Sequence, residues 1–280
     1  MKLAEQARKA ADIYQRNPKV EAIWIGGSVS RGWDDEYSDI ELFLAWRNGP
    51  ETEDRLEPVK ALQGEIISFH CYEDEEWSEA FVTSEIKFEL SHFLTSTVKK
   101  NINRTVGLYS PDLESQCLTS AVAEGVCLYG AEIFESLKQQ TAIYPEGLKR
   151  AMILQSLDLG SRWNNRYSLV ARQDWLMLHE VFVTVEKKMM AVLFALNEQF
   201  VHHPGFKWQR QSIQRMEIKP SGTETRLESV FLEHPAKGLM ILEELLQDVF
   251  GLVSRHHPDI ELDKWKAAGS SARPVRKTGE

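Results

Sequence analysis

The chain has 280 residues, of which 42% are hydrophobic and 27% are charged, and this balance is typical of a folded globular protein. Domains usually contain ~100–200 residues, so the length predicts two domains and excludes a miniprotein. Lysine and arginine number 33 and aspartate and glutamate number 42, which gives a net charge of −9. Nonspecific binding to nucleic acid or to an anionic membrane is therefore not expected. A small substrate, including a cationic one, fits this charge better.

The cysteines and the N-terminus both predict a cytoplasmic protein. Cys71, Cys117 and Cys127 form no CxxC pair and have no histidine cluster at zinc spacing, so we expect reduced thiols. The first residues lack the apolar stretch of a signal peptide, and no run approaches the ~20 apolar residues that span a bilayer.

The first half of the chain alternates helix and strand patterns. Apolar residues three and four positions apart indicate helices, and short runs rich in β-branched and aromatic residues indicate strands. The predicted elements are a helix at Leu3–Gln15, strands at Val20–Ile25 and Asp39–Trp46, a helix at Glu51–Leu62, a strand at Ile66–Tyr72, an acidic solvated loop at Glu73–Glu79 and a strand at Glu85–Phe93.

From about residue 145 onward, long apolar stretches with helical spacing replace the strand patterns. They cover Leu148–Tyr167, Trp175–Phe200 and Gly238–His256. The sequence therefore predicts an α+β protein, with a mixed sheet and flanking helices in residues 1–145 and an all-helical bundle in residues 146–265. Residues 266–280 are small, polar and basic, and we expect a flexible tail.

Two acidic residues alternate with apolar ones in the second strand. Asp39 and Glu41 point to one face of this strand, whereas Ile40, Leu42 and Leu44 point to the core. Neighbouring carboxylates repel each other unless a cation neutralises them, and Mg²⁺ prefers carboxylate and water oxygens. The pair therefore predicts a divalent-cation site, although a solvated strand face gives the same pattern.

The first strand ends at Gly26-Gly27-Ser28 and leads into a short predicted helix. Free backbone N–H groups at the start of a helix favour phosphate, and glycines allow it to approach closely. Together with the Ser28 hydroxyl, this turn predicts a cradle for a nucleoside triphosphate beside the metal site.

A third carboxylate is expected from the strand Glu85–Phe93. One face of this strand carries the polar side chains Glu85, Lys87, Glu89 and Ser91. We favour Glu89 because core residues flank it on both sides, which places it in the middle of the strand. Glu85 is the reserve candidate at the strand end.

Gly27-Ser28, ten intervening residues and Asp39-Ile40-Glu41-Leu42 resemble the signature of the polymerase-beta-like nucleotidyltransferase superfamily. The resemblance covers residues 20–95. It implies a mixed sheet with flanking helices and two Mg²⁺ ions held by Asp39, Glu41 and Glu89. It also implies transfer of a nucleoside monophosphate to a hydroxyl group with release of pyrophosphate. The third carboxylate is a glutamate here, whereas an aspartate is more frequent in the superfamily.

Three motifs of the helical half are similar to a subfamily of these proteins: Arg172-Gln173-Asp174, Leu193-Phe194-Ala195-Leu196-Asn197 and Pro204-Gly205-Phe206-Lys207-Trp208. The two-part layout is also similar to antibiotic nucleotidyltransferases of the kanamycin and lincosamide type, in which a helical domain closes over the nucleotide and helps to bind the acceptor. Lys207 is a candidate for binding triphosphate oxygens. The alternative is a structural corner between helices. Glu180 and Glu186 both remain candidates for a general base.

The sequence thus predicts a Mg²⁺-dependent nucleotidyltransferase. It would transfer AMP from ATP to a hydroxyl of a small acceptor, such as an aminoglycoside-like antibiotic, and Gly27 and Ser28 would bind the phosphates. The alternative is a noncatalytic nucleotide-binding or antitoxin-like module with the same fold. A third interpretation takes Arg172 and His179, whose spacing is seen in helical HEPN ribonucleases, as phosphate ligand and acid or base. The acidic charge balance disfavours this RNA-cleaving interpretation.

Overall fold

The protein is described by a computed structural model over residues 3–84 and 86–274. The chain divides between Tyr144 and Pro145 into two compact units. The first unit combines a mixed sheet with flanking helices, whereas the second unit is built of helices joined by turns and loops. The α+β class predicted from the sequence is therefore confirmed.

Six strands form the mixed sheet of the first unit. They are β1 (Val20–Ile25), β2 (Ile40–Trp46), β3 (Glu65–Glu73), β4 (Glu76–Thr83), β5 (Ile86–Leu94) and β6 (Val126–Tyr129). Their order across the sheet is β3-β4-β5-β2-β1-β6. The central neighbours β2 and β5 run parallel, and the other neighbouring pairs are antiparallel. Ile40, the first residue of β2, pairs with Phe88, the third residue of β5, so the two strands begin at the same end of the sheet.

Helices cover both faces of this sheet. They are α1 (Leu3–Tyr14), α2 (Gly27–Arg31), α3 (Thr52–Ala61), α4 (Thr95–Ile102), α5 (Leu113–Ala123) and α6 (Ala131–Gln139). One core lies where α1 packs on the face that carries Ile40, Leu42 and Leu44. On the opposite face, α4, α5 and α6 pack on Ala45 and Phe93. Glu41 and Glu89 belong to this second face but remain partly or fully exposed near the strand starts.

The segment Glu73–Glu79 corrects the sequence prediction, which placed a solvated acidic loop there. Glu73 ends β3, Asp74 and Glu75 form a tight turn with φ angles of 50° and 69°, and β4 begins at Glu76. Glu79 is only 2% exposed. Acidic residues are almost never buried unless they are paired, so the sequence pattern favoured a solvated loop over the strand that is found.

A network of buried polar side chains explains the burial of Glu79. The Arg55 guanidinium donates to Oε2 of Glu79 at 2.7 Å, and the His92 ring lies 2.7 Å from Oε1. Trp46 donates from Nε1 to Nδ1 of His92 at 3.0 Å, so Nε2 of His92 carries the proton that is donated to Glu79. The Tyr14 hydroxyl donates to the same carboxylate at 3.3 Å. Five side chains from α1, α3, β2, β4 and β5 are thereby tied together.

We expect Glu79→Gln to destabilise the first unit strongly. The substitution leaves the buried Arg55 charge without its partner, and breaking such a pair costs about 3–5 kcal/mol. Urea unfolding measures this loss. Glu65→Gln, on the exposed face of the edge strand β3, is the matched control and should change the unfolding free energy by less than about 0.5 kcal/mol. Equal stability of the two variants would contradict a stabilising role of the network.

The same network predicts a pH dependence. Burial acts to raise the pKa of Glu79, but His92 and Arg55 lower it more, so that the pKa lies below its ordinary value of 4.5. The ionised carboxylate therefore adds stability that is fully present above pH 4.5 and is lost as the pH falls through the lowered native pKa. Acid titration of the unfolding free energy should show this loss in the wild type and lack it in Glu79→Gln.

The second unit contains seven α-helices in its described part. They are α7 (Glu146–Ser156), α8 (Arg166–Arg172), α9 (Trp175–Leu196), α10 (Gln209–Arg215), α11 (Thr223–Leu232), α12 (Pro235–His256) and α13 (Asp263–Ser270). The predicted stretches at residues 175–200 and 238–256 correspond to α9 and α12. The predicted stretch at residues 148–167 is interrupted after α7 and contains a 3₁₀ turn at Ser161–Asn165.

The predicted flexible tail at residues 266–280 is wrong for the part that the structure describes. Residues 266–270 belong to α13, and the chain is held to the preceding residues as far as Arg273. Trp163 donates from Nε1 to the Gly269 carbonyl at 2.7 Å, Arg166 donates to the Ser271 carbonyl at 2.6 Å, and the Arg273 amide donates to the Asn164 carbonyl at 2.8 Å. The remaining tail residues, 275–280, lie outside the described residues.

The three cysteines are free thiols, as predicted. Burial raises the pKa of Cys117 to about 12, with a smaller contribution from Glu114, so this thiol stays protonated at neutral pH. A protonated thiol is a poor nucleophile and metal ligand. Among the described helices, none combines the length and the apolar character that a membrane crossing requires.

Candidate active site on the sheet

The glycine turn after β1 forms as the sequence predicts. Gly26 is extended, Gly27 adopts a left-handed φ of 62°, and α2 runs for five residues from Gly27 to Arg31. The Gly26 amide donates to the Glu41 carbonyl at 3.0 Å, which joins the turn to β2. The turn is therefore placed directly beside the strand that carries the predicted acidic pair.

Gly27 allows the Glu41 side chain to approach the backbone. A Cβ atom at Gly27 would lie 2.3 Å from Oε1 of Glu41, so the Glu41 carboxylate would have to shift. The left-handed φ adds a second reason for glycine, since other residues strain in this conformation. In the sequence, these glycines predict close approach of a phosphate. In the structure, the left-handed φ and the space taken by the Glu41 carboxylate both favour glycine at position 27.

The predicted carboxylates lie on one face of the parallel strand pair. Glu41 and Glu89 are register partners in β2 and β5, and opposite residues of a sheet point to the same side. Asp39 precedes β2 by one residue, and its side chain reaches the same face through a contact with Lys87. The structure thus brings the three predicted acidic residues together. Glu85, the reserve candidate, lies outside the described residues.

Lys87 is the cation among these carboxylates. Its Nζ atom lies 3.3 Å from Oδ2 of Asp39 and also donates to Oε1 of Glu89. The hydrogen bond to Glu89, followed by the charges of Glu89 and Asp39, raises the pKa of the Lys87 ammonium. Strand alternation already places Lys87 on this face, but its role as an internal counter-ion becomes visible only in the structure.

The donor chemistry of this face suits Mg²⁺, because carboxylate oxygens are its preferred protein ligands. Across residues 3–84 and 86–274, however, no group of three or more His, Cys, Asp and Glu side chains is placed so that it could hold a metal ion directly. The Lys87 ammonium lies between Asp39 and Glu89. Binding of a divalent ion here would therefore require Lys87 to move away from at least one of them.

Arg31 is a residue of the turn that sequence reasoning missed. Its guanidinium donates to the Gly27 carbonyl at 2.8 Å and to Oγ of Ser120 at 3.0 Å, and it also pairs with Glu124. The side chain is only 4% exposed. A local signal exists, since Arg31 follows Gly27 by one helical turn, but Ser120 and Glu124 are too distant in sequence to be recognised. Arg31 therefore stabilises the glycine turn by connecting the Gly27 carbonyl to Ser120 and Glu124.

Two further predicted phosphate ligands occupy different settings. Ser28 is buried at 5% exposure, and its carbonyl accepts a hydrogen bond from the Trp33 amide at 2.9 Å. Lys207 lies in the second unit, where its side chain is exposed and its carbonyl lies 2.9 Å from the His202 ring. The role of both residues in phosphate binding stays a prediction.

The residues of the ribonuclease interpretation have structural roles or solvated positions. His179 donates from Nδ1 to the Trp175 carbonyl at 2.8 Å within α9, and its ring packs on Phe182 and Phe231. Arg172 is exposed at the end of α8. These contacts favour a packing role for His179.

Comparison with known proteins gives a match to one family model and matches to solved structures. Residues 112–209, about a third of the chain, match a family described as a domain of unknown function, DUF4037. Among solved structures, a nucleotidyltransferase-like protein from Exiguobacterium sibiricum 255-15 aligns with 90% of this chain and 78% of its own, at 13% identity and a TM-score of 0.41. No curated protein matches the sequence. The chemistry of the site therefore rests on its own residues.

We expect Gly27→Ala to lower the free energy of unfolding by more than the ~1–2 kcal/mol of a left-handed alanine, because the new methyl group also collides with Glu41. Urea unfolding followed by circular dichroism measures the loss. Gly32→Ala is the matched control, since Gly32 has a φ of 68° but nothing within 4 Å of its Cβ position.

A double variant isolates the collision itself. Gly27→Ala combined with Glu41→Ala should recover part of the loss, because the shorter side chain leaves room for the methyl group. Equal losses in Gly27→Ala and Gly32→Ala, with strictly additive effects in the double variant, would contradict the close approach of Glu41.

Proposed function

We propose that this protein is a Mg²⁺-dependent nucleotidyltransferase. It transfers a nucleoside monophosphate, AMP from ATP, to a hydroxyl group of a small acceptor in the cytoplasm. An aminoglycoside-like antibiotic is one acceptor of suitable size and charge for an acidic protein. The proposal rests on the carboxylate face of β2 and β5 and on the glycine turn beside it.

One observation carries the proposal. Glu41 is in register with Glu89 and its carboxylate also lies against Gly27, so a single side chain joins the acidic face to the glycine turn. A triphosphate bound at the turn would therefore meet the carboxylates through its metal ions. A merely solvated strand face has no need for this contact.

Different residues of the chain bind the triphosphate and the metal ions. Backbone N–H groups of the turn and the Ser28 hydroxyl would hold the β- and γ-phosphates. Asp39, Glu41 and Glu89 would hold two Mg²⁺ ions. These ions would supply activation of the acceptor hydroxyl and neutralisation of the charge on the leaving pyrophosphate. Arg31 keeps the turn in place through the Gly27 carbonyl.

The second candidate function is a noncatalytic nucleotide-binding or antitoxin-like module. Lys87 favours it, because its ammonium already offsets part of the charge of Asp39 and Glu89 without a metal ion. In such a module the carboxylates and Lys87 form a structural charge cluster. Nucleotide binding would then depend on the turn and not on a divalent cation.

Calorimetric titration with ATP, GTP, CTP and UTP tests the proposal, with and without Mg²⁺. The wild type should bind at least one nucleotide in a Mg²⁺-dependent manner, and Asp39→Asn combined with Glu41→Gln should lose this binding. Both substitutions preserve side-chain size at partly exposed positions, so we expect the fold to persist.

A matched control removes two carboxylates elsewhere in the same unit. Glu53→Gln combined with Glu57→Gln changes exposed residues of α3 and should leave nucleotide binding intact. Binding that survives in the Asp39 and Glu41 variant, or that needs no Mg²⁺, would favour the noncatalytic module. Failure of every nucleotide to bind would contradict both candidate functions.

A further inference from the structure

The helical second unit contains a cavity of about 200 Å³ beside α9. Met190, Phe206 and Phe231 supply apolar and aromatic surface, and Glu186 and Gln209 supply polar groups. An apolar cavity of about 150 Å³ holds one benzene molecule, so this cavity suits a single ring or a short alkyl chain. A nucleotide is too large for it.

Glu186 is a buried acid with an incomplete set of hydrogen bonds. The residue is only 7% exposed. Its Oε1 atom accepts a hydrogen bond from Nε2 of Gln209, whereas its buried Oε2 atom accepts none from the part of the chain that the structure describes. Burial raises the pKa of Glu186 to about 7, and the bond from Gln209 offsets only part of this rise.

A buried carboxylate with an unpaired oxygen lowers the stability of the protein unless a ligand donates a hydrogen bond to that oxygen. Buried charges in proteins are normally paired, and an unmatched buried polar atom is typical of sites where function outweighs stability. Asn197, directly after the end of α9, is the opposite case. Its side chain bonds to the Leu193 and Ile218 carbonyls and to the Glu217 and Ile218 amides, and it fixes the following turn.

The wall opposite Glu186 is built from a strained segment. Phe206 and Trp208 adopt left-handed φ angles of 54° and 60°, which are unfavourable for aromatic residues. Phe206 is nevertheless 5% exposed, and its ring packs on Phe194 with centroids 5.5 Å apart. The Pro204–Trp208 motif therefore holds an aromatic ring in the wall of this cavity.

From these observations, we infer that the cavity beside Glu186 binds an organic ammonium ion with a small apolar group. The ammonium donates to Oε2 of Glu186, and the apolar group contacts Met190, Phe206 and Phe231. Aromatic faces also attract cations. Lys187 lies at the same cavity but has an exposed side chain, so water screens its charge. This site lies within the second unit.

Benzylamine is the probe for this inference, and benzyl alcohol is its uncharged counterpart. The protein is labelled with ¹³C at its methionine methyl groups, and the Met190 resonance is assigned with Met190→Leu. Benzylamine at millimolar concentration should shift the Met190 resonance. Met189 lies on the same helix outside the cavity lining and should not respond.

Glu186→Gln should weaken benzylamine binding roughly 10- to 100-fold, as expected when a charge-assisted hydrogen bond is lost. Glu180→Gln is the matched control on α9, because Glu180 is exposed and pairs with Arg162, and it should leave the affinity unchanged. An unresponsive Met190 resonance, undiminished binding in Glu186→Gln or an equal affinity for benzyl alcohol would each overturn the inference.

A stability measurement separates a ligand-binding carboxylate from a structural one. Without benzylamine, Glu186→Gln should raise the Tm at neutral pH by roughly 2 °C or more, because it removes an unmatched buried charge. A lowered Tm would identify Glu186 as a structural residue and contradict the inference. Glu180→Gln should leave the Tm within about 1 °C of the wild-type value.

Discussion

The contact between the Glu41 carboxylate and the backbone of Gly27 sets the geometry of the candidate site. Together with the left-handed φ of Gly27 it favours glycine at position 27, and the hydrogen bond from the Gly26 amide to the Glu41 carbonyl holds the turn after β1 against β2. Glu41 is in register with Glu89, so the acidic face continues onto β5. Arg31 holds the turn by a hydrogen bond to the Gly27 carbonyl. The proposed function needs this short distance, because a triphosphate at the turn would have to share its metal ions with the acidic face.

Charge balance is the second constraint on this face. Asp39 and Glu89 share the Lys87 ammonium, which offsets part of their negative charge and lets the carboxylates stay close. A divalent ion would have to compete with this internal cation. In the proposed function, nucleotide phosphates would give the ammonium another negative partner, and joint binding of metal and nucleotide would then be more favourable than binding of the metal alone.

Much of this arrangement follows from local sequence rules. Strand alternation predicts the shared face of Asp39 and Glu41, and the resemblance of the Gly27-Ser28 motif adds the expected chemistry. What local rules miss are contacts between distant residues. Burial of Glu79 depends on Arg55 and His92. The position of Arg31, which donates to the Gly27 carbonyl, depends on Ser120 and Glu124. Likewise, nothing in the sequence separates Glu180 from Glu186, whereas the fold exposes the first and buries the second.

A crystal grown with Mn²⁺ and a non-hydrolysable ATP analogue tests the central claim most directly, because anomalous scattering locates the metal. The account predicts Mn²⁺ bound by Asp39, Glu41 and Glu89 at about 2.1 Å, the distance typical of such octahedral ions, with the triphosphate at the Gly27 turn and Lys87 moved away. Nucleotide bound without metal at these carboxylates, with Lys87 still between Asp39 and Glu89, would contradict it.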